Sequence, residues 1–457
     1  MTANDSPCFI HLLPSELLVA IFRFLPLIDL LQSIPVVCRL WYDLSHSPVL
    51  RKRLSLKKNT PPEYLLLSIR TRPLLDVLRS PALDQSAPML PKALKMCPTL
   101  RCLDVGFCNL TEETADQLSL SIPSTLRHLN VEGVKSVGLA FITNLVVRCP
   151  SLEALNLSHC VGVCDSWVQL IATKLPRLKR LNLDGVLWLS DTALEHLVHG
   201  VAMKTGCLSA LWLDGFELST SGVRLFTQRL ASLQNSFEHQ LPDERNSAAL
   251  PSAGLQILWI SFCDHLTDEA IESLGQLSSL VALTLRKAQQ ITSQCWSRLF
   301  LSNIDSIQQP ALPALRYLEH LDLSEAPSVN DSVVADICQC CGPQLRSLTL
   351  NWCWDLTDVG LNEIVSTCST LRHLSLVGNH LIRGDSLMDV CSKLPHLNIL
   401  NLTQCNHVQD SVLEHVVSKM PDLYVFDYFG ERVGGQQNDI CHYDLWRSLE
   451  KVPICTD

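Results

Sequence analysis

Residues 152–183 read LEALNLSHCVGVCDSWVQLIATKLPRLKRLNL. The stretch opens and closes on one spacing of apolar residues: Leu152, Leu155 and Leu157, then Leu178, Leu181 and Leu183, 26 residues later. Leucines two apart have the period of a short strand that buries one face. Beyond a turn, Asp165 stands where a helix should begin, since a short polar side chain there can accept amides that a first turn leaves unpaired. A single strand and helix cannot hide their shared apolar face, so the unit must stack on others like it.

The spacing recurs. L-x-x-L-x-L, with Val or Ile allowed last, starts at Leu100, Leu126, Leu152, Leu178, Leu208, Leu255, Leu280, Leu318, Leu345, Leu371 and Leu397, and decays to LYVFDY at Leu423. Asp191, Asp268, Asp331, Asp358 and Asp410 repeat the helix start. Two polar, Pro-containing insertions interrupt the period, near 231–253 and 302–314, and both are expected as loops at repeat edges. Cys108, Cys160, Cys263, Cys353 and Cys405 occupy the ninth place of their copies, with Asn379 in the same place of another, while Cys97, Cys149 and Cys368 fall where helices close. A small buried thiol with a weak donor suits a tight turn under a stacked neighbour. A metal site at Cys338, Cys340 and Cys341 would need a further His or Cys at ligand spacing, which is missing there, so no metal is expected. The array resembles the cysteine-containing leucine-rich repeat. That resemblance implies an α/β solenoid, curved, with a parallel sheet on its concave face.

Residues 11–45 read differently: HLLPSELLVAIFRFLPLIDLLQSIPVVCRLWYDLS. Ser15 is placed to cap a helix whose apolar stripe is Leu17, Leu18, Ile21, Phe22 and Leu25. Pro26 should stop it, the segment Ile28 to Ser33 is fenced by Pro26 and Pro35, and a third helix is expected from Val36 to Ser45 with Val37, Leu40, Trp41 and Leu44 on one side. Three short helices have too little interior to bury that surface, so the surplus must meet a partner. Leu13-Pro14, Asp29-Leu30, Cys38-Arg39 and Trp41, in this order and spacing, resemble the F-box. The resemblance implies docking on the adaptor of an SCF-type cullin-RING ubiquitin ligase, and through it on the cullin and RING subunits. Leu13, Pro14, Leu17, Ile21, Phe22 and Leu25 would then make the adaptor contact, with Trp41 anchoring the module's core.

The expected order is a flexible lead over 1–10, the F-box over 11–50, a linker with irregular capping repeats over 51–99, the repeat solenoid over 100–428 and a C-terminal cap over 429–457. The basic run RKRLSLKK at 51–58 is read as an exit strand with solvated charges, with a nuclear-import signal as the sharper alternative. At 457 residues the chain is too long for one compact core. Its formal charge of -10 argues against general nucleic-acid binding, which rests on basic surface. Charged or polar residues break every apolar run short of a membrane span, and the opening MTANDSPC has no secretory pattern. The 20 cysteines are therefore expected as reduced thiols of the cytoplasm or nucleus.

No catalytic constellation and no cofactor motif is found: GERVGG at 430–435 lacks the Lys-Ser/Thr of a phosphate loop, and no Gly-x-Ser-x-Gly or His-Glu-x-x-His occurs. Function is instead expected on the sheet face, at Trp212, Asp214, Trp259, Phe262, Arg286 and Trp352, where aromatic residues contrast with the polar Asn130, Asn156, Asn182 and Asn401 of other repeats. Trp and Arg are enriched at interface hot spots, so these six are the candidate contacts for a protein substrate. Trp188 and Trp354 lie just past their turns. A basic alternative is Arg127-His128, Lys179-Arg180, Arg286-Lys287, Arg346 and Arg372-His373, which could grip a phosphorylated segment. The sequence thus points to a non-catalytic ligase subunit that holds a target, or else to a repeat scaffold whose F-box serves outside a ligase.

Overall fold

The computed structural model describes residues 10, 13–25, 29, 33–47, 50, 52–215, 217–238, 254–301 and 315–434. The lead over 1–9, residues 239–253 and 302–314 of the two insertions, and the closing segment 435–457 lie outside the described residues. One compact unit takes in the chain up to Cys149, and a second begins at Pro150.

In the first unit the described residues between 13 and 50 include the helices Ser15–Phe22 and Arg39–Ser45 and a 3-10 turn at Ile34–Val36, while Pro26 and most of the expected segment Ile28 to Ser33 lie outside the described residues. Ser15 does not cap: Pro14 holds that position, no side chain closes the turn, and the Pro14 carbonyl accepts from Leu17 and Leu18. The later helix starts at Arg39 rather than Val36, because Cys38 is extended and separates it from the 3-10 turn. Phe22, Ile34 and Leu50 make a small core on which Val19, Leu25, Trp41 and Leu44 pack. The rings of Phe22 and Trp41 meet edge to face at 5.1 Å, a favoured aromatic geometry.

The rest of this unit is already repeat. Strands β1 (Arg53–Ser55), β2 (Val77–Arg79), β3 (Cys102–Asp104) and β4 (His128–Asn130) pair in parallel, with Leu54, Leu78, Leu103 and Leu129 in register. Between them lie the helices Pro62–Arg70, Leu90–Leu94 and Glu112–Ser121. The proline-rich segment 59–99 therefore carries strand and helix in alternation, with Pro62 and Pro91 in the first turns of their helices, where a missing amide costs nothing.

The second unit continues the same grammar through β5 (Ala154–Asn156), β6 (Arg180–Leu183), β7 (Ala210–Asp214), β8 (Ile257–Ser261), β9 (Ala282–Leu285), β10 (His320–Asp322), β11 (Ser347–Thr349), β12 (His373–Ser375), β13 (Ile399–Asn401) and β14 (Tyr424–Phe426). All pair in parallel in chain order, and β15 (Arg432–Val433) closes against β14 in antiparallel sense. One leucine per strand aligns from Leu155 through Leu181, Leu211, Leu258, Leu283, Leu321, Leu348, Leu374 and Leu400 to Val425. Each of these is at most 1% exposed. Part of the first insertion is helix rather than loop: Thr220–Glu238 runs past 231, because Val223, Thr227, Leu230, Ala231 and Gln234 keep a buried stripe at helical spacing.

Two sets of side-chain hydrogen bonds tie several repeats to their neighbours. The helix-opening Asp is the first helical residue rather than the cap, and it accepts from the following repeat. Asp331 takes the Thr357 N–H at 2.9 Å, the Thr357 hydroxyl at 2.6 Å and the Gly360 N–H at 3.0 Å. Asp165 serves Ser190 in the same way, Asp268 serves Thr292, and Asp358 takes the N–H groups of Arg383 and Gly384. The second set runs backward: the Cys353 and Cys405 thiols donate to the carbonyls of Leu323 and Leu376, as the Asn379 amide does to Leu350. Burial pushes the Cys353 and Cys108 thiols up to about 12, so they remain neutral donors.

Asp331→Ala is expected to leave three amide or hydroxyl donors without their acceptor and to cost about 2 kcal/mol, read as a lowered urea midpoint of the full chain. An unchanged midpoint would mean the aspartate ladder contributes nothing to repeat stacking.

Candidate protein-binding surfaces

The six F-box positions expected to face a partner divide into two groups. Leu17 and Ile21, four apart on one helix and so on one face, are exposed, Leu17 at 51%. Pro14 is exposed beside them in sequence and Leu13 is half-buried. Phe22, by contrast, is 1% exposed and Leu25 is half-buried against it, so both side chains serve the module's own core. The structure adds outward residues outside that set of six: Phe24 at 89%, with Val36, Val37 and Leu40. Val37, which lies before the later helix, and Leu40 near its start are exposed, whereas Trp41 and Leu44 pack on the Phe22 core.

The sheet-face candidates also divide, and three require correction as open contacts. Trp212 and Trp259 are in register on β7 and β8 and are only 2% and 3% exposed, forming one apolar cluster with Ala210 and Ile257. Strands about 4.8 Å apart set two indoles in such register flank to flank. Asp214 is buried as well. Arg286 lies over the Trp259 ring at 4.4 Å while its Nε and Nη2 both donate to one oxygen of Asp322 at 2.8 Å. The Asp322 side chain has no exposure, and its other oxygen accepts from the Ser324 N–H and hydroxyl. Arg286 thus clamps β8 and β10 across β9.

Phe262 and Trp352 belong to the turns rather than to the strands. They stand at the eighth place of their repeats, where the backbone is left-handed: Phe107, His159, Phe262, Lys287, Glu325, Trp352 and Gln404 all have φ between 54° and 61°. Such φ values are costly outside glycine, and here a hydrogen bond to the next repeat secures them. Glu325 N–H donates to the Asn351 carbonyl at 2.8 Å and Trp352 N–H to that of Val377 at 2.7 Å. Glycine holds the same place at Gly133, Gly185 and Gly378, and the large side chain of the preceding repeat lies where a Cβ would be: Phe107, His159 and Trp352 respectively. The alternation of bulky residue and glycine at the eighth place was the available sequence signal.

Several basic candidates pair with acids of the preceding repeat, Lys179 with Glu153 at 2.8 Å and Arg346 with Glu319 at 3.1 Å, while His373 is buried on the Ser347 hydroxyl. Solvent-exposed pairs of this kind add little stability, and they leave less free charge for a phosphate. Beside β10 and β11, Gln289, Glu325, Pro327, Trp352 and Trp354 line an open cleft of about 480 Å³. Among the described residues, no three His, Cys, Asp or Glu side chains are grouped to hold a metal ion, and no helix is long and apolar enough to cross a membrane.

Comparison with known proteins follows these two parts. Residues 10–57 match the F-box-like model, and residues 97–115 and 367–391 match the leucine-rich-repeat model. The chain is 26% identical over 330 residues to the DNA repair protein RAD7 of Saccharomyces cerevisiae, covering 69% of this chain and 56% of RAD7. It is also 26% identical over 286 residues to F-box/LRR-repeat protein 4 of Bos taurus, covering 58% of this chain and 40% of that protein. The chain thus spans about half the length of these curated relatives. The crystal structure of the Rad7 and Elc1 complex in yeast matches with a TM-score of 0.55 at 15% identity, over 91% of this chain and 93% of that one, a likeness of fold. The chain pairs an F-box-like segment with leucine-rich repeats.

Arg286→Ala is expected to strand the buried Asp322 carboxylate and cost on the order of 3 kcal/mol, measured by chemical denaturation. Arg286→Lys should recover only part of it, because an ammonium cannot reproduce the fork. Wild-type stability in the alanine variant would return Arg286 to the set of residues available to a partner.

Proposed function

We propose that this F-box and leucine-rich-repeat protein is a substrate-recognition subunit of an SCF-type cullin-RING ubiquitin ligase. The observation that carries the reading is the module at residues 13–50, whose core is small while Leu17, Ile21, Phe24, Val36, Val37 and Leu40 face outward. So much aliphatic and aromatic surface on so small a unit is costly to leave in water and fits a permanent protein partner. The F-box-like match over residues 10–57 supports the adaptor as that partner, as does the fold shared with Rad7, which has been solved with Elc1.

In this reading Leu13, Pro14, Leu17 and Ile21 bear on the adaptor, while Phe22 and Leu25 shape the surface from beneath. The adaptor links the chain to the cullin and RING subunits, and the repeats hold a target protein. The chain performs no chemistry. It raises the concentration of target lysines near the ubiquitin carrier, converting a bimolecular encounter into a local one. The turn residues Phe262 and Trp352, with Trp354, are better placed to touch a target than Trp212, Asp214 and Trp259, since they keep exposed surface at the repeat edge.

Leu17→Asp combined with Ile21→Asp should abolish co-purification of adaptor and cullin with the full chain while the thermal melt of the repeats is unchanged. Phe22→Ala should instead loosen the module itself, by about 3 kcal/mol or more. Retained adaptor capture by the double aspartate variant would refute the docking face. Adaptor capture without cullin in the wild type would favour a scaffold that uses its F-box outside a ligase.

A further inference from the structure

The cleft bounded by Gln289, Glu325, Pro327, Trp352 and Trp354 combines features that select one kind of ligand. Its acid is held in place: Glu325 has φ 60°, and its N–H is bonded to the Asn351 carbonyl of the next repeat. Among the described residues the Glu325 carboxylate has no ion pair and no side-chain hydrogen bond. The nearest equivalent cation, Lys287 one repeat earlier, is turned the other way, its ammonium 4.2 Å from the centre of the Phe262 ring. Trp352 is fixed as well, with one flank of its indole resting on Gly378, whose φ of 75° and missing Cβ make room for it. Trp354, exposed to about half, lines the same cleft.

Ligand classes can be separated by charge. An anion would meet the Glu325 carboxylate. A purely apolar group would cover the indoles but strip water from that carboxylate without replacing it. A cation satisfies both, through the negative faces of the two indoles and through the carboxylate. A cleft of about 480 Å³ also has room for more than one charged head group, enough for the residues on either side of it. We propose that this cleft receives a lysine or arginine side chain from an extended segment of a partner protein, gripped between Trp352 and Trp354 and paired with Glu325. That the segment belongs to a ligase target rests on the receptor reading; the preference for a cation does not.

The test uses the full chain and two fluorescein-labelled peptides, Gly-Ser-Arg-Lys-Arg-Ser-Gly and its counterpart with citrulline and norleucine in place of the three basic residues, followed by fluorescence anisotropy and by quenching of tryptophan emission. The basic peptide should bind at least about tenfold tighter than the neutral one, and Glu325→Gln and Trp354→Ala should each weaken it by at least about fivefold. Both substitutions are at solvent-reached positions and should leave the thermal melt unchanged, and Glu414→Gln, at an exposed acid on a distant helix, should leave binding unchanged. Equal binding of the two peptides, no binding of either, or wild-type affinity in both cleft variants would overturn the proposal. Adaptor capture is scored on the same samples. Loss of peptide selectivity with adaptor capture intact counts against the cleft alone, whereas selective peptide binding without adaptor capture counts against the ligase reading alone.

Discussion

Everything in the repeats depends on an apolar face that no single strand-and-helix unit can bury. The leucine ladder from Leu155 to Val425 is the result: each strand is covered only because another lies in register beside it. The polar ladders follow from the same stacking. Asp331 can accept from Thr357 and Gly360, and Cys405 can donate to Leu376, only when the repeats are held at one spacing and one register. A slip of one residue would turn every leucine to the other face.

The parts of this fold that obey a period were legible from residues alone. Leucines at the first, fourth and sixth places announced strand, turn and helix, and the ninth-place cysteines announced buried turns. What escaped the sequence is what a period cannot encode. Residues 77–79 are a strand of the same ladder although the prolines around them in 59–99 disguise it, and they pair with the strand at 53–55 that the run 51–58 led one to expect, because strand pairing needs only three residues in register. Asp165 and Asp331 were read as caps of their own helices, whereas they cap across repeats, a contact between residues about 26 apart that spacing within one helix does not reveal. The helix through Glu238 was hidden by a polar composition that still kept one buried stripe.

The candidate surfaces were legible in kind and less so in detail. The helix stripe Leu17, Leu18, Ile21, Phe22 was read as one face, but a module with its own core needs Leu18 and Phe22 inside and leaves Leu17 and Ile21 out. Hydrophobicity alone cannot divide such a stripe, since either half would serve as core. On the sheet, Trp212 and Trp259 looked like interface anchors because they replace asparagines. Register puts them beside each other instead, and Arg286 folds over Trp259 to reach Asp322. The aromatic surface that stays open has moved to the turns, where left-handed residues such as Trp352 are aimed outward by the next repeat's carbonyl.

Two kinds of apolar surface therefore have opposite fates. In the repeats, stacking removes it from water. In the F-box-like module part of it stays outside, with Phe24 and Val36 among the most open large hydrophobic side chains of the described residues and Leu17, Ile21, Val37 and Leu40 exposed beside them in sequence. Under the proposed function, that difference is the mark of a partner. Hydrogen–deuterium exchange of the full chain, alone and with the purified ligase adaptor, tests it most directly. Slowed exchange confined to residues 13–45, with the strands from β5 onward unchanged, is the predicted result. Exchange in residues 13–45 that is the same with and without the adaptor would contradict it.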